Sequence, residues 1–153
     1  KTATLFQAAA QTGAIIAEAT KSEIEAIGNY ALHLGIAFQL MDDNLDYFGH
    51  SDALGKNVGD DFAEGKVTLP IIAAIRNGSP EQVGFLEEAV LKGGVEDLDI
   101  VLELVRETGA LDYTQKIAAK EKCKALSCLS AMPKSAFKTA LEDLAEFSIK
   151  RTN

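Results

Sequence analysis

Ala31-Leu32-His33-Leu34-Gly35-Ile36-Ala37-Phe38-Gln39-Leu40-Met41-Asp42-Asp43-Asn44-Leu45-Asp46 is an apolar run that ends in three carboxylates. Only His33, Gly35 and Gln39 interrupt it between Ala31 and Met41. A run that apolar around most of its circumference belongs to a helix buried on several sides. Its last turn is costly by folding physics alone. A helix C-terminus carries partial negative charge, which disfavours anions there. Asp42 and Asp46 stand one helical turn apart, where like charges repel by about 0.2–0.5 kcal/mol per pair. Aspartate is also a poorer helix former than glutamate, because its short side chain competes for nearby backbone groups. A sequence that accepts all three costs has a cation to place at that end. Hard divalent ions such as magnesium take oxygen ligands, commonly one or two carboxylates plus substrate phosphates.

At about 100° per residue, Asp42, Asp43 and Asp46 fall at about −60°, +40° and −20° from Gln39, a single stripe about 100° wide. The stripe continues backwards through Gly35, Leu32 and Gly28. A helix lining a cavity would show this, polar at the mouth and apolar deeper in. The plainer alternative is an acidic helix end with glycines for tight packing. The following segment, Phe48 to Lys66, supplies opposite charge. It interleaves Gly49, Gly55, Gly59 and Gly65 with Lys56, Asp60, Asp61, Glu64 and Lys66. Structureless stretches of that length in compact domains are usually functional or disordered. Glycine lets backbone approach a ligand closely, and lysine offers a compact point charge suited to phosphate. Together the acidic helix end and the Gly-Lys pairs point to a phosphorylated substrate held between magnesium and lysines.

Around this centre every other segment reads as helix. Lys1 to Ala19 forms one, with a weak point at Gly13. Ser22 and Glu25 have capping-box spacing and open a second that runs to about Tyr47. Further helices are expected over Val67 to Asn77, with Pro70 in the first turn where a proline is tolerated, and from Ser79-Pro80-Glu81-Gln82 to Gly93-Gly94, opened by a serine cap and a proline. Val95 to Thr108, Ala110 to Ser130 and Pro133 to Arg151 complete an all-α chain. Its 153 residues match one domain, 1–153, a length at which about 70% of the unfolded surface can be buried. The net charge of −8 argues against non-specific nucleic-acid binding, which needs basic surface. Cys123 and Cys128 lack zinc-site companions and read as reduced, packed thiols. No apolar run is long enough for a stable membrane span.

The run Gly35 to Tyr47 resembles the second aspartate-rich motif of the trans-isoprenyl diphosphate synthases. Gly55-Lys56-Asn57, Gly59-Asp60-Asp61-Phe62 and Glu64-Gly65-Lys66-Val67-Thr68-Leu69-Pro70 are similar to the same family, as are the opening Lys1-Thr2-Ala3-Thr4-Leu5-Phe6 and the closing Ala140-Leu141-Glu142-Asp143-Leu144-Ala145 with Arg151. The resemblance implies a helical bundle of the isoprenoid synthase type, of which this chain holds the C-terminal helices. It also implies a cytoplasmic, homodimeric prenyltransferase that condenses an allylic diphosphate with isopentenyl diphosphate, head to tail, with Mg²⁺ as cofactor. Carried over residue by residue, Asp42, Asp43 and Asp46 belong to the magnesium site, with Asp42 the first choice for a direct ligand. Lys1, Lys56 and Lys66 contact the allylic diphosphate. Thr2 and Gln39 lie beside the reacting carbons, Phe38 lines the allylic site or packs in the core, and Asp60 and Asp61 hold metal-bound water or belong to a solvated loop.

Family members are about twice this long, and their first aspartate-rich motif lies upstream of the Lys-Thr pair. No second D-D-x-x-D occurs here. The chain alone is therefore expected to be inactive, and the whole enzyme to make a long-chain polyprenyl diphosphate of the quinone-tail kind. The alternatives are a short-chain farnesyl- or geranylgeranyl-forming synthase and a non-catalytic helical subunit.

Overall fold

The structure, a computed structural model, describes residues 1–48 and 58–150. Lys56 and Arg151 lie outside the described residues. Helix α1 spans Thr2–Ile16, α2 Lys21–Phe48, α3 Asp60–Ala63, α4 Leu69–Asn77, α5 Pro80–Lys92, α6 Leu98–Glu107, α7 Ala110–Cys128 and α8 Ala136–Lys150. Among the described residues there is no strand, and the all-α expectation holds.

The punctuation works largely as the sequence predicts. Ser79 caps α5 with a complete capping box, its hydroxyl accepting from Gln82 N–H while Gln82 Oε1 accepts from Ser79 N–H. Gly93, Gly94 and Gly109 take positive φ where helices stop. Three expectations need correction. Gly13 is no weak point, because α1 runs straight through it. The box at the start of α2 is Thr20 and Glu23, not Ser22 and Glu25: Thr20 N–H and hydroxyl both donate to Glu23 Oε2. Threonine with glutamate three residues on satisfies the same rule two positions earlier, and α2 accordingly starts at Lys21. Finally, the segment expected to be irregular up to Lys66 contains the one-turn helix α3.

The chain forms two compact units. One comprises, among the described residues, Lys1–Met41 and 117–150, with a core of Tyr30, Ala31, Leu34, Ala125, Leu129 and Ala145. Its alanines let the helices approach closely. Polar side chains inside it are paired: the Tyr30 hydroxyl donates to the Leu141 carbonyl at 2.7 Å, and buried Glu121 accepts from Lys124 at 2.6 Å and meets His33 Nδ1 at 2.7 Å. The other unit covers Asp42–Lys116. Tyr47, Phe62, Ile71, Leu86, Val101 and Val105 fill its core. Here α4, α5 and α6 pack mutually, and α6 shows buried Val101, Leu102 and Val105 at helical spacing. Helices α2 and α7 each contribute residues to both units.

Candidate active site

In the first unit, α1 crosses α2 where glycines remove the side-chain barrier. A Cβ added at Gly35 would come within 2.6 Å of Ala3 Cα, and one at Gly28 within 2.6 Å of Gln11 Nε2. The glycine strip of α2 is therefore covered by α1, which corrects the expectation that it lines a cavity. The close crossing brings Thr2 over Gln39, and the Thr2 hydroxyl donates to Gln39 Oε1 at 2.9 Å. These two residues, far apart in the chain, are the pair assigned to the reacting carbons. Phe38 meets Phe6 with ring centroids 5.9 Å apart, a separation at which tilted aromatic pairs attract. Lys1 is exposed at the start of α1.

In the second unit, the acidic end of α2 leads into a turn that folds back on it. Asp42, Asp43 and Asp46 are each half-buried. The Asp46 carbonyl accepts Gly59 N–H at 2.9 Å, and its carboxylate Oδ2 accepts Asp61 N–H at 3.1 Å. Asp46 thus caps α3 from a distant point in sequence, satisfying a donor that a one-turn helix leaves orphaned. The approach depends on Gly59, which has φ +81° and where a Cβ would lie 2.2 Å from Leu98 Cδ1. Beyond α3, Gly65 turns the chain with φ +73°, and Lys66 returns to Asp61: its backbone N–H donates to the Asp61 carbonyl at 2.8 Å, and its ammonium reaches Asp61 Oδ1 at 2.9 Å and Glu64 Oε2 at 2.8 Å.

Negative charge gathers around the half-buried Asp46. Burial pushes the Asp46 carboxyl up to about 6, helped by the charges of Asp61 and Asp60 and opposed by the Asp61 N–H. Bonds to Asp61 and Glu64 hold the Lys66 ammonium above the ordinary lysine value. Burial also pushes the Tyr47 phenol up to about 12. Its hydroxyl lies beside that of Thr68 without good hydrogen-bond geometry. Among the described residues Asn44 Oδ1, Tyr47 OH and Thr68 Oγ1 are buried and without partners.

These residues suit a magnesium ion in one respect and leave it incomplete in another. A half-buried carboxylate raised by burial and by negative neighbours gains from a cation. No three His, Cys, Asp or Glu side chains among the described residues converge into a cage for one. Magnesium tolerates this, since it keeps several waters and completes its shell from substrate phosphates. The arrangement brings together Thr2 with Gln39, and separately Asp46 with Asp61 and Lys66. Lys56 lies outside the described residues. Asp61 carried too little weight in the sequence, because its hold on Lys66 depends on how the α3 turn closes.

Comparison with known proteins adds independent evidence. The polyprenyl synthetase family profile matches residues 1–107. The octaprenyl diphosphate synthase of Haemophilus influenzae is 45% identical over 152 residues, which is 99% of this chain and 46% of that protein. The geranyl-diphosphate-specific all-trans-nonaprenyl-diphosphate synthase of Rhodobacter capsulatus is 41% identical, with 99% and 46% covered. A crystal structure of a polyprenyl synthase from Caulobacter crescentus, complexed with calcium and isoprenyl diphosphate, superposes with a TM-score of 0.90 at 42% identity, covering 97% of this chain and 46% of that one. The chain spans about half the length of the curated relatives it matches. A profile match through more than half of its residues, carrying the acidic end of α2 and the lysine turn alike, makes this chain a member of the polyprenyl synthetase family.

Proposed function

We propose that the protein to which these residues belong is a prenyltransferase that joins an allylic diphosphate to isopentenyl diphosphate, and that residues 1–153 are one part of its single isoprenoid synthase domain. The allylic C–O bond breaks and its electron pair leaves with pyrophosphate. The double bond of isopentenyl diphosphate attacks the allylic carbon, and a proton is lost to the departing pyrophosphate. Mg²⁺, when bound by Asp42, Asp43 and Asp46, supplies positive charge to the leaving diphosphate. The chain's own residues do the rest. Lys1, Lys56 and Lys66 bind diphosphate oxygens. Thr2 holds the Gln39 carbonyl oxygen, so that the Gln39 amide dipole is fixed before charge develops on the neighbouring carbon; preplaced dipoles stabilise such charge without reorganising.

The observation that carries this reading is the folding of the lysine turn onto the acidic end of α2, through Asp46 and Asp61. Likeness to octaprenyl and nonaprenyl diphosphate synthases supports a long-chain product. Magnesium as the metal, a homodimer and a cytoplasmic site belong to the same proposal. No described helix is long and apolar enough to cross a membrane.

The test is to fuse this chain to the portion of the Haemophilus influenzae relative that it does not span, and to supply an allylic diphosphate, labelled isopentenyl diphosphate and Mg²⁺. Elongated prenyl diphosphate is expected from the fusion and none from this chain alone. Asp42→Ala should lower the rate by on the order of 100-fold or more, as for other groups that meet transition-state charge. A folded fusion without product, or an unaffected Asp42→Ala, would contradict the proposal.

A further inference from the structure

Two carboxylates claim the Lys66 ammonium, and they are held very differently. The Glu64 side chain is 63% exposed and that of Asp61 only 20% exposed. An ion pair made by a solvated carboxylate restrains its partner little. Asp61 is tied on both sides. Its N–H is bound by Asp46 Oδ2 at 3.1 Å, and its carbonyl accepts Lys66 N–H at 2.8 Å. Its carboxylate therefore stands at a fixed place relative to the acidic end of α2. The ammonium that it binds at 2.9 Å belongs to a side chain 56% exposed, and that bond tethers it beside the acidic end of α2.

We propose that Asp61 is a positioning residue, which aims the Lys66 ammonium at a diphosphate held by the acidic end of α2. The inference rests on the diphosphate-binding role given to Lys66 above. Lysine carries a flexible four-carbon stem and a rotating point charge, so an unrestrained ammonium loses more freedom on binding than one already placed. An acidic residue beside a polyanion site otherwise works against binding. Charge alone therefore predicts that neutralising Asp61 tightens diphosphate binding, and positioning predicts the reverse.

Calorimetric titration of the chain with inorganic pyrophosphate in Mg²⁺ separates the two. Glu64→Gln is the charge-matched control and should bind as wild type or tighter. Asp61→Asn should bind about tenfold more weakly. Asp61→Glu, which keeps the charge but misplaces it, should also weaken binding, and it provides the readout if Asp61→Asn fails to fold. Added to Lys66→Met, Asp61→Asn should have no further effect. Asp61 variants that bind as tightly as wild type would overturn the proposal. So would loss of Mg²⁺ binding in Asp61→Asn, titrated with the metal alone, since Asp61 would then belong to the ion. If wild type does not bind pyrophosphate, or Lys66→Met binds it equally well, the diphosphate role itself fails, and this inference with it.

Discussion

Asp46 shows how one residue serves two purposes. It was singled out as a metal ligand by its place in a run of aspartates. The fold also spends one of its carboxylate oxygens on the α3 turn. Its carboxyl is raised from 3.8 to about 6, so the protonated form is favoured by folding. The resulting stabilisation is fully present below the unfolded value and is lost as pH rises through about 6. Thermal stability of the metal-free chain should therefore fall between about pH 4 and pH 6 through this group. Asp46→Asn should flatten that part of the profile, and a pH profile unchanged by the substitution would contradict the assigned burial. Gly59 is the second decisive residue. Its positive φ and its closeness to Leu98 leave no room for a side chain. Gly59→Ala should cost on the order of 1–3 kcal/mol in denaturant unfolding, and a neutral substitution would mean that the turn relaxes freely. The aspartates were legible in sequence because three carboxylates at the end of an apolar helix defy local preference. Asp61's grip on Lys66 was not, since an Asp and a Lys five positions apart carry no signal until a turn closes between them.

Helices were legible where short-range chemistry marks their ends. Ser79 with Pro80 and Gln82, and the glycines after α5 and before α7, act within a few residues, and the structure uses them as expected. Ser79→Ala should lower stability by about 1 kcal/mol, the ordinary value of an N-cap; an unchanged unfolding midpoint would show the end of α5 to be frayed. Helix α3 was not legible, because its four residues fall below any periodic pattern and its cap arrives from Asp46. The α1–α2 crossing lay between these cases. Gly28 and Gly35 were visible on one stripe, but a strip of small residues reads equally as cavity wall and as helix contact. Packing of α1 decided for contact. Gly35→Ala should push α1 away, since the obstacle is backbone at Ala3. The hydrogen bond that the Thr2 hydroxyl donates to Gln39 Oε1 should then be lost, seen as a changed exchange rate of the Thr2 hydroxyl proton. An unchanged rate would place that bond outside the control of the crossing.

At the scale of the whole molecule, the chain covers about half the length of its curated relatives and leaves large apolar side chains in solvent. Ile16 is 77% exposed, Leu91 88% and Phe137 84%. Apolar side chains that gather into a contiguous exposed patch mark contact sites, and on that ground the chain on its own should self-associate. Light scattering that shows a clean monomer, with no uptake of an apolar dye, would contradict this. The all-α class followed from helix punctuation and from the absence of strand signals. The functional reading hangs on one local arrangement, in which the acidic end of α2 and the lysine turn meet an anion together. Nuclear magnetic resonance of the labelled chain tests this most directly, following the amides of Asp42, Asp43, Asp46, Asp61 and Lys66 during titration with Mg²⁺ and inorganic pyrophosphate. These signals should move together, saturably, when both are present, and Asp42→Ala should abolish the response. Signals that stay still, or that shift no more than with sodium chloride at equal ionic strength, would contradict the assignment of this end of the helix to diphosphate.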